Sequence, residues 1–273
     1  MASEVEPKPA RQLRLRYPAT CASCGISLSP GTEAIWNSAD KTATCLACAP
    51  GREIEPGVAG ASAAAEGERR ANRKVDRVRR EYGDYAAVVA EAMAAQEAAA
   101  TWGKGSKGES ALARYIAKEV GDSIISLHDR LIPGTRGNID HLFVAPTGVW
   151  VVDAKAYKGK VVQREVGPIW RRETELVIGG RNRTSLAAGV MRQVEAVKAV
   201  RNSDPEFQGT GILPALCLVE SEWGLLDFPF LVGKVLVTHP GALKKELRKK
   251  GTVPREKMER IARVLDLSLP PAR

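Results

Sequence analysis

The chain has 273 residues, with 41 Lys and Arg against 32 Asp and Glu, a formal charge of +9. That length suits one mid-sized domain and a small one, and the basic excess suits a polyanionic partner such as nucleic acid. No apolar run reaches the roughly 18 residues of a membrane span, and Met1-Ala2-Ser3-Glu4-Val5-Glu6-Pro7 has no signal-peptide core, so a cytoplasmic, soluble protein with no membrane partner is expected.

Residues 17–50 carry Cys21-Ala22-Ser23-Cys24 and Cys45-Leu46-Ala47-Cys48. This is the spacing of a structural zinc site: Cys21, Cys24, Cys45 and Cys48 would close a tetrahedral shell with no open position for chemistry. Two disulfides are the alternative, and the reducing compartment expected here argues against them. Between the pairs, Thr32–Asn37 and Lys41–Thr44 read as a hairpin around Ser38-Ala39-Asp40. The module is too small for a core of its own, so metal is expected to drive its folding. Arg11, Arg14 and Arg16 could grip nucleic acid or simply be solvated.

Residues 51–102 read as a connector: a linker rich in Ala, Gly, Pro and Glu to about residue 67, then a helix over 68–101. Its first part crowds Arg69, Arg70, Arg73, Lys74, Arg77, Arg79 and Arg80; Ala86 to Ala100 is Ala-rich with high helix propensity. The basic half could track phosphates, or be a solvated face. Gly103-Lys104-Gly105 is expected to break it.

From 103 to 273 the pattern is α/β. A helix over about 107–120 places Leu112, Ala113, Ile116 and Val120 at offsets of 3, 4, 7 and 11 from Glu109, so Glu109 lies at the N-terminal end of the buried stripe. Ser106-x-x-Glu109 also fits a capping box, in which the Glu satisfies only a helix-start N–H. Residues 123–132 read as a strand with His128 on its face, followed by a turn at Pro133–Gly137. Residues 138–155 then read as a β-hairpin around Pro146-Thr147-Gly148.

In that hairpin, alternation places Asp140, Leu142 and Val144 on one face of the first strand. Val149, Val151, Asp153 and Lys155 share a face of the second, and His141 points away from Asp140. If the two faces coincide, two carboxylates and an ammonium meet. Charges inside apolar strands are costly unless paired or metal-bound. Two carboxylates on adjacent strands can hold a hard cation such as Mg²⁺, which takes oxygen ligands at about 2.0–2.1 Å. Such a cation polarises a phosphoryl oxygen and acidifies bound water, and Lys155 could orient that water or neutralise developing charge. A solvated Asp153–Lys155 pair is the bland alternative.

Tyr157, Lys158 and Lys160 flank the hairpin's end. Residues 161–179 suggest further strands, with Trp170 packed and Arg171 and Arg172 outside. A helix over 184–201 turns Leu186, Val190, Val194 and Val197 inward, with Gln193 near that stripe. The apolar runs 211–220 and 229–238 suit strands covered on both faces, Cys217 being a buried thiol. Two helices close the chain, one over 241–250 and one capped by Thr252 with Pro254 just inside. Nine Lys and Arg against three Glu between 244 and 263 suit a phosphate-facing surface or plain solvation.

Five stretches together resemble the NERD (nuclease-related) domain of the broad PD-(D/E)xK nuclease superfamily. They are Gly105-Ser106-Lys107-Gly108-Glu109; His128-Asp129-Arg130-Leu131-Ile132-Pro133; Asn138-Ile139-Asp140-His141; Gly148-Val149-Trp150-Val151-Val152-Asp153-Ala154-Lys155; and Gly159-Lys160-Val161. The resemblance covers about residues 103–235. It implies a mixed central sheet flanked by helices, a restriction-endonuclease-like core. It implies Glu109, Asp140 and Asp153 as ligands of a catalytic Mg²⁺ or Mn²⁺, Lys155 as the catalytic lysine, and Gln193 as a residue facing the site. The family often has Glu where this chain has Asp153, which sets the carboxylate back by one methylene.

The expectation is thus a metal-dependent nuclease acting on DNA, an endonuclease by preference, behind a zinc ribbon that assists nucleic-acid or partner binding. The alternative is a scaffold that keeps the nuclease fold and binds nucleic acid with little hydrolysis; an adaptor built on the ribbon is a third reading. RNA, a protein partner or a second copy of the chain would also be compatible with the same surfaces.

Overall fold

A computed structural model describes residues 10–168, 170, 172–205, 207–224 and 228–272, apart from the side chains of 82–89 and 92–106. Its first part is a small ribbon of β1 (Arg11–Arg14), β2 (Ala19–Thr20), β3 (Ser27–Leu28), β4 (Glu33–Asn37) and β5 (Thr42–Cys45). The expected hairpin is β4–β5, its turn held by Asn37 Nδ2 donating to Asp40 Oδ2 at 2.7 Å. The strand β1 adds to β4, so Arg11 and Arg14 belong to the ribbon's sheet and do not precede it.

The connector departs from expectation. A single helical span, α1, runs Ala61–Val120, straight through Gly103-Lys104-Gly105. It is nevertheless not a rod. Twelve residues of straight helix cover about 18 Å, yet Arg79 Nη2 lies 3.1 Å from Glu91 Oε1. Val75 packs against Ala90, and Ser110 Oγ donates to Ala59 O at 2.9 Å. The span therefore folds back between Arg79 and Ala90, and its two arms run antiparallel. Glu109 is thus deep inside a helix and not at its start, so the capping-box reading does not apply.

After α1 come β6 (Ile125–Leu131), β7 (Asn138–Ala145), β8 (Gly148–Lys155), β9 (Val161–Val166), β10 (Glu173–Ile178), β11 (Arg181–Asn182), α2 (Ser185–Ser203), β12 (Ile212–Leu218), β13 (Phe230–Val232), β14 (Val235–Thr238), α3 (Pro240–Leu247) and α4 (Arg255–Ser268). The central sheet is mixed, in the order β13-β14-β12-β8-β7-β6. β8 pairs antiparallel with β7 and parallel with β12. The run 229–238 is two antiparallel strands and not one, turning at Gly233 with φ 58°, a conformation glycine adopts freely. Trp170 is 88% exposed, so it does not pack as expected. Arg172 is exposed, and Arg171 lies outside the described residues. Pro254, not Thr252, sits at the N-cap of α4.

Helices cover both faces. Leu112, Ile116 and Val120 of α1, with Leu243 and Leu247 of α3, bury against Phe143, Trp150 and Val152. Val194 and Val197 of α2, with Ile261 and Leu265 of α4, bury against Leu127, Leu142, Val149 and Val151. Each fully buried side chain of this size contributes about 1.5–3 kcal/mol relative to exposure. Leu28, Ala34 and Ala47 of the ribbon belong to the second of these cores, so the ribbon is docked on α4.

The stretch expected to be a free linker is tied to β6. His128 N–H donates to Pro56 O at 2.7 Å, and a side chain on Gly57 would overlap His128 O. The chain's other end closes the same edge: Leu131 N–H donates to Pro270 O at 2.9 Å and Ala272 N–H to Asp129 O at 2.8 Å. Arg130, fully buried, reaches α4: Nη1 donates to Asp266 Oδ1 at 2.9 Å, and Nη2 donates to Glu55 O.

Candidate active site

The sheet opens where the candidate residues lie. The β7–β8 ladder pairs Leu142 with Val151 and His141 with Val152, and goes no further. Asp140, next in line, turns its carboxylate toward the second strand, and Oδ2 accepts from Ala154 N–H at 3.0 Å. Part of the cause is next door. Asp129 on β6 is left-handed, φ 49°, a region Asp tolerates better than most residues. Its Oδ1 accepts from Asn138 Nδ2 at 2.8 Å and from Ser62 Oγ at 2.6 Å, and its other oxygen accepts from Ser62 N–H. The start of β7 is thereby tied to the start of α1 and not to β8. Asp140 thus sits beside a parted ladder, where strict alternation would have put it flat on one face.

Lys155 is the hub. Its Nζ donates to Asp153 Oδ1, lies 3.5 Å from Asp140 Oδ2 and 3.3 Å from Ala154 O. Burial alone would lower its pKa, but Asp140 and Asp153 outweigh that and raise it, so the ammonium stays charged. Burial, then the neighbouring Asp153, holds the Asp140 carboxyl well above the usual carboxylate range.

Two cavities meet at Lys155 and Asn138. One, about 870 Å³, is also lined by Glu109 and Asp140. The other, about 760 Å³, is lined by Asp153 and Gln193. Glu109 arrives from α1, where Gly108 is close enough to Ala156 that an added Cβ would lie 3.1 Å from its Cβ. Burial pushes the Glu109 carboxyl up to about 7, against the pull of Lys155. Its buried Oε2 has no hydrogen-bond partner among the described residues, and neither has Gln193 Oε1. Orphaned buried acceptors are rare and point to an absent donor or cation. That observation fits a cation ligand at Glu109 and a water or substrate donor at Gln193.

The five expected residues therefore line two adjoining cavities that share Lys155, and do not form one tight cage. Among the described residues, the four ribbon cysteines are the group whose donor atoms all lie within 4.8 Å of one another. Glu109, Asp140 and Asp153 do not close to that distance; the Lys155 ammonium stands at Asp140 and Asp153 as their counter-ion. His128 and His141 lie behind the site, Nδ1 to Nδ1 at 2.9 Å, with His141 stacked on Phe143. His141 is fully buried, packed as expected, and His128, expected on the strand's face, is half-buried beside it. Asp129 and Asn138, which part the strands, were within the quoted motif but carried no role. Their signal in the sequence was only that both are polar beside apolar strands.

The ribbon's cysteines are free thiols, not disulfides. Cys24 and Cys45 Sγ are 3.8 Å apart, and Cys45 N–H donates to Cys21 Sγ at 3.2 Å. Burial would raise the Cys21 thiol, but N–H donors from Cys45, Ser23 and Cys24 bring it down to about 6, while burial pushes Cys24 up to about 11. Arg260 of α4 donates to Cys48 Sγ and, through Nη2, to Asp204 Oδ2 at 3.0 Å. Burial raises the Cys48 thiol, and the Arg260 guanidinium pulls against that, toward the thiolate that would bind a metal. The arrangement is consistent with a zinc ribbon.

No curated protein and no solved structure matches this chain. A family model does. Residues 104–218, from the second arm of α1 to the end of β12, match the model described as NERD, nuclease-related domain. This is narrower than the span expected from resemblance, and it contains Glu109, Asp140, Asp153, Lys155 and Gln193. Residues 104–218 build this cleft's floor, and it is this part of the chain that is similar to the nuclease-related domain.

Proposed function

We propose that the protein is a Mg²⁺- or Mn²⁺-dependent nuclease that hydrolyses phosphodiester bonds in DNA, an endonuclease by preference. The observation that supports this most is the meeting of a charged, half-buried Lys155 with Asp140 and Asp153 at the junction of two open cavities, beside the orphaned Glu109 Oε2. Glu109, Asp140 and Asp153 would hold the catalytic ion. When bound, that ion would supply Lewis-acid polarisation of a phosphoryl oxygen and a more acidic water. Lys155, released from its role as counter-ion, donates to the oxygen on which charge develops. Gln193 Oε1 accepts from the attacking water or a substrate donor. Cys21, Cys24, Cys45 and Cys48 would hold a structural Zn²⁺, and the ribbon would assist DNA or partner binding.

Incubation with supercoiled plasmid and linear DNA, in Mg²⁺, Mn²⁺ or EDTA, tests the reading. Nicking that needs the metal, and that Asp140→Ala and Lys155→Ala each lower by at least about a hundredfold, supports it. That size is the usual cost of losing one preorganised charge-stabilising group. One observation favours a scaffold that binds without cutting: the three carboxylates stay apart while Lys155 fills the place of a cation. Tight DNA binding with no cleavage, unchanged in both variants, would select that reading.

A further inference from the structure

The fold-back of α1 lays its first arm along the cleft, outside the matched residues 104–218. Ser62, Glu66, Arg69, Arg70 and Arg73 follow helical spacing on one face, and all of them line the cavity that also holds Glu109, Asp140 and Lys155. We propose that Arg69, Arg70 and Arg73 form a subsite for the backbone phosphates of DNA next to the one being cleaved, a proposal that rests on the nuclease reading above.

The three guanidiniums converge on one carboxylate. Glu66 accepts from Arg69 Nε at 3.1 Å, from Arg70 Nε at 2.8 Å and from Arg73 Nη2 at 3.1 Å. One carboxylate offers about four lone-pair sites, against five N–H donors on each guanidinium. Three positive charges are thus gathered at one carboxylate, Arg69 and Arg73 with donors beyond those Glu66 accepts and Arg70 with a further contact of its own. The three side chains are 58–63% exposed, and exposed ion pairs contribute little to stability. What three arginines around one oxyanion match is a phosphate, which they can bind bidentately. Arg136, across the same cavity, adds a fourth positive charge.

The placement agrees. Arg69 to Arg73 covers about 6 Å of helix axis, the axial length of about two nucleotides of one strand. The arm's start is locked to the site, because Asn138 Nδ2 donates to Ser62 Oγ at 2.9 Å and Asn138 lines both cavities. Glu66 is the internal counter-ion that a phosphate displaces.

Binding of a fluorescein-labelled DNA duplex, measured in EDTA so that nothing is cut, isolates the subsite from hydrolysis. Over about 50 to 200 mM salt, R69Q/R70Q/R73Q is expected to lower the slope of log affinity against log salt by about 1 to 2, close to 0.9 per lost phosphate contact. Affinity at the low-salt end is expected to fall at least about tenfold, and E66Q, which frees the arginines, to bind several-fold tighter than wild type. R73Q alone serves if the triple variant loses its circular dichroism signal. Unchanged slope and affinity in a folded arginine variant, or unchanged binding in E66Q, overturn the subsite even where plasmid cleavage proceeds. The expected changes in a wild type that never cleaves keep the subsite and remove the nuclease reading. A wild type that binds RNA of the same sequence and not the DNA overturns the assignment to DNA.

Discussion

At the residue scale, the buried charges divide into two kinds. Lys155, Asp140 and Glu109 open onto cavities, and their burial raises the pKa of both carboxyls. Arg130 is different: it is sealed, and it is spent on structure. Asp266 accepts from Arg130 at 2.9 Å and from Arg52 at 3.2 Å, and Leu269 O accepts from Arg130 at 3.3 Å. Removing one partner of a buried pair leaves the other uncompensated, at about 3–5 kcal/mol. Arg130→Met is expected at about 3 kcal/mol, the lower end, because Arg52 stays with Asp266. Urea unfolding measures it, and adding Asp266→Leu should recover most of the loss. A cost under about 1 kcal/mol for Arg130→Met would mean that the pair is not buried as described.

At the element scale, what could be read from sequence depended on locality. The β7–β8 hairpin was plain, because two β-branched runs around Pro-Thr-Gly leave few alternatives. The helical reversal was not. Its surroundings are Ala-rich, and propensity there favours continuing. Conversely, Gly103-Lys104-Gly105 looked like a stop, yet the helix continues there. Each helical Gly costs only about 1 kcal/mol, and Gly108 just beyond shows what packing gains from a missing side chain: at Ala156 an added Cβ would be tight. The candidate residues were legible as a set but not in their arrangement. Asp140's escape from alternation depends on Asp129 and Ser62, which are 67 positions apart. The docking of residues 55–57 on β6 was equally hidden. At Gly57, φ is 74° and an added Cβ would lie 2.3 Å from His128 O. Gly57→Ala is therefore expected to cost about 1–3 kcal/mol, through overpacking and a strained backbone. Urea unfolding again reports it, and a variant as stable as wild type would show that this stretch is not held against the strand.

At the scale of the whole molecule, the ribbon shares one core with α4 and the central sheet. Leu28 and Ala47 are buried with Ile261 and Leu265, and Arg260 joins Cys48 to Asp204. If the four cysteines hold a metal, its loss should be felt by the entire chain. Chelation, or Cys24→Ser, is expected to cost at least about 2 kcal/mol, lowering the midpoint by roughly 4–8 °C for a chain of this size. Calorimetry should show one transition moving. A ribbon that melts separately, leaving the main transition in place, would contradict the shared core.

The sealing of β6 has a consequence for how copies of this chain meet. An outermost strand normally offers unsatisfied amides and carbonyls as rungs for a stranger to join. Here residues 56 and 270–272 already occupy those rungs. The opposite border, β13, is three residues long. Neither margin of the central sheet is therefore a ready template for fibre-like growth.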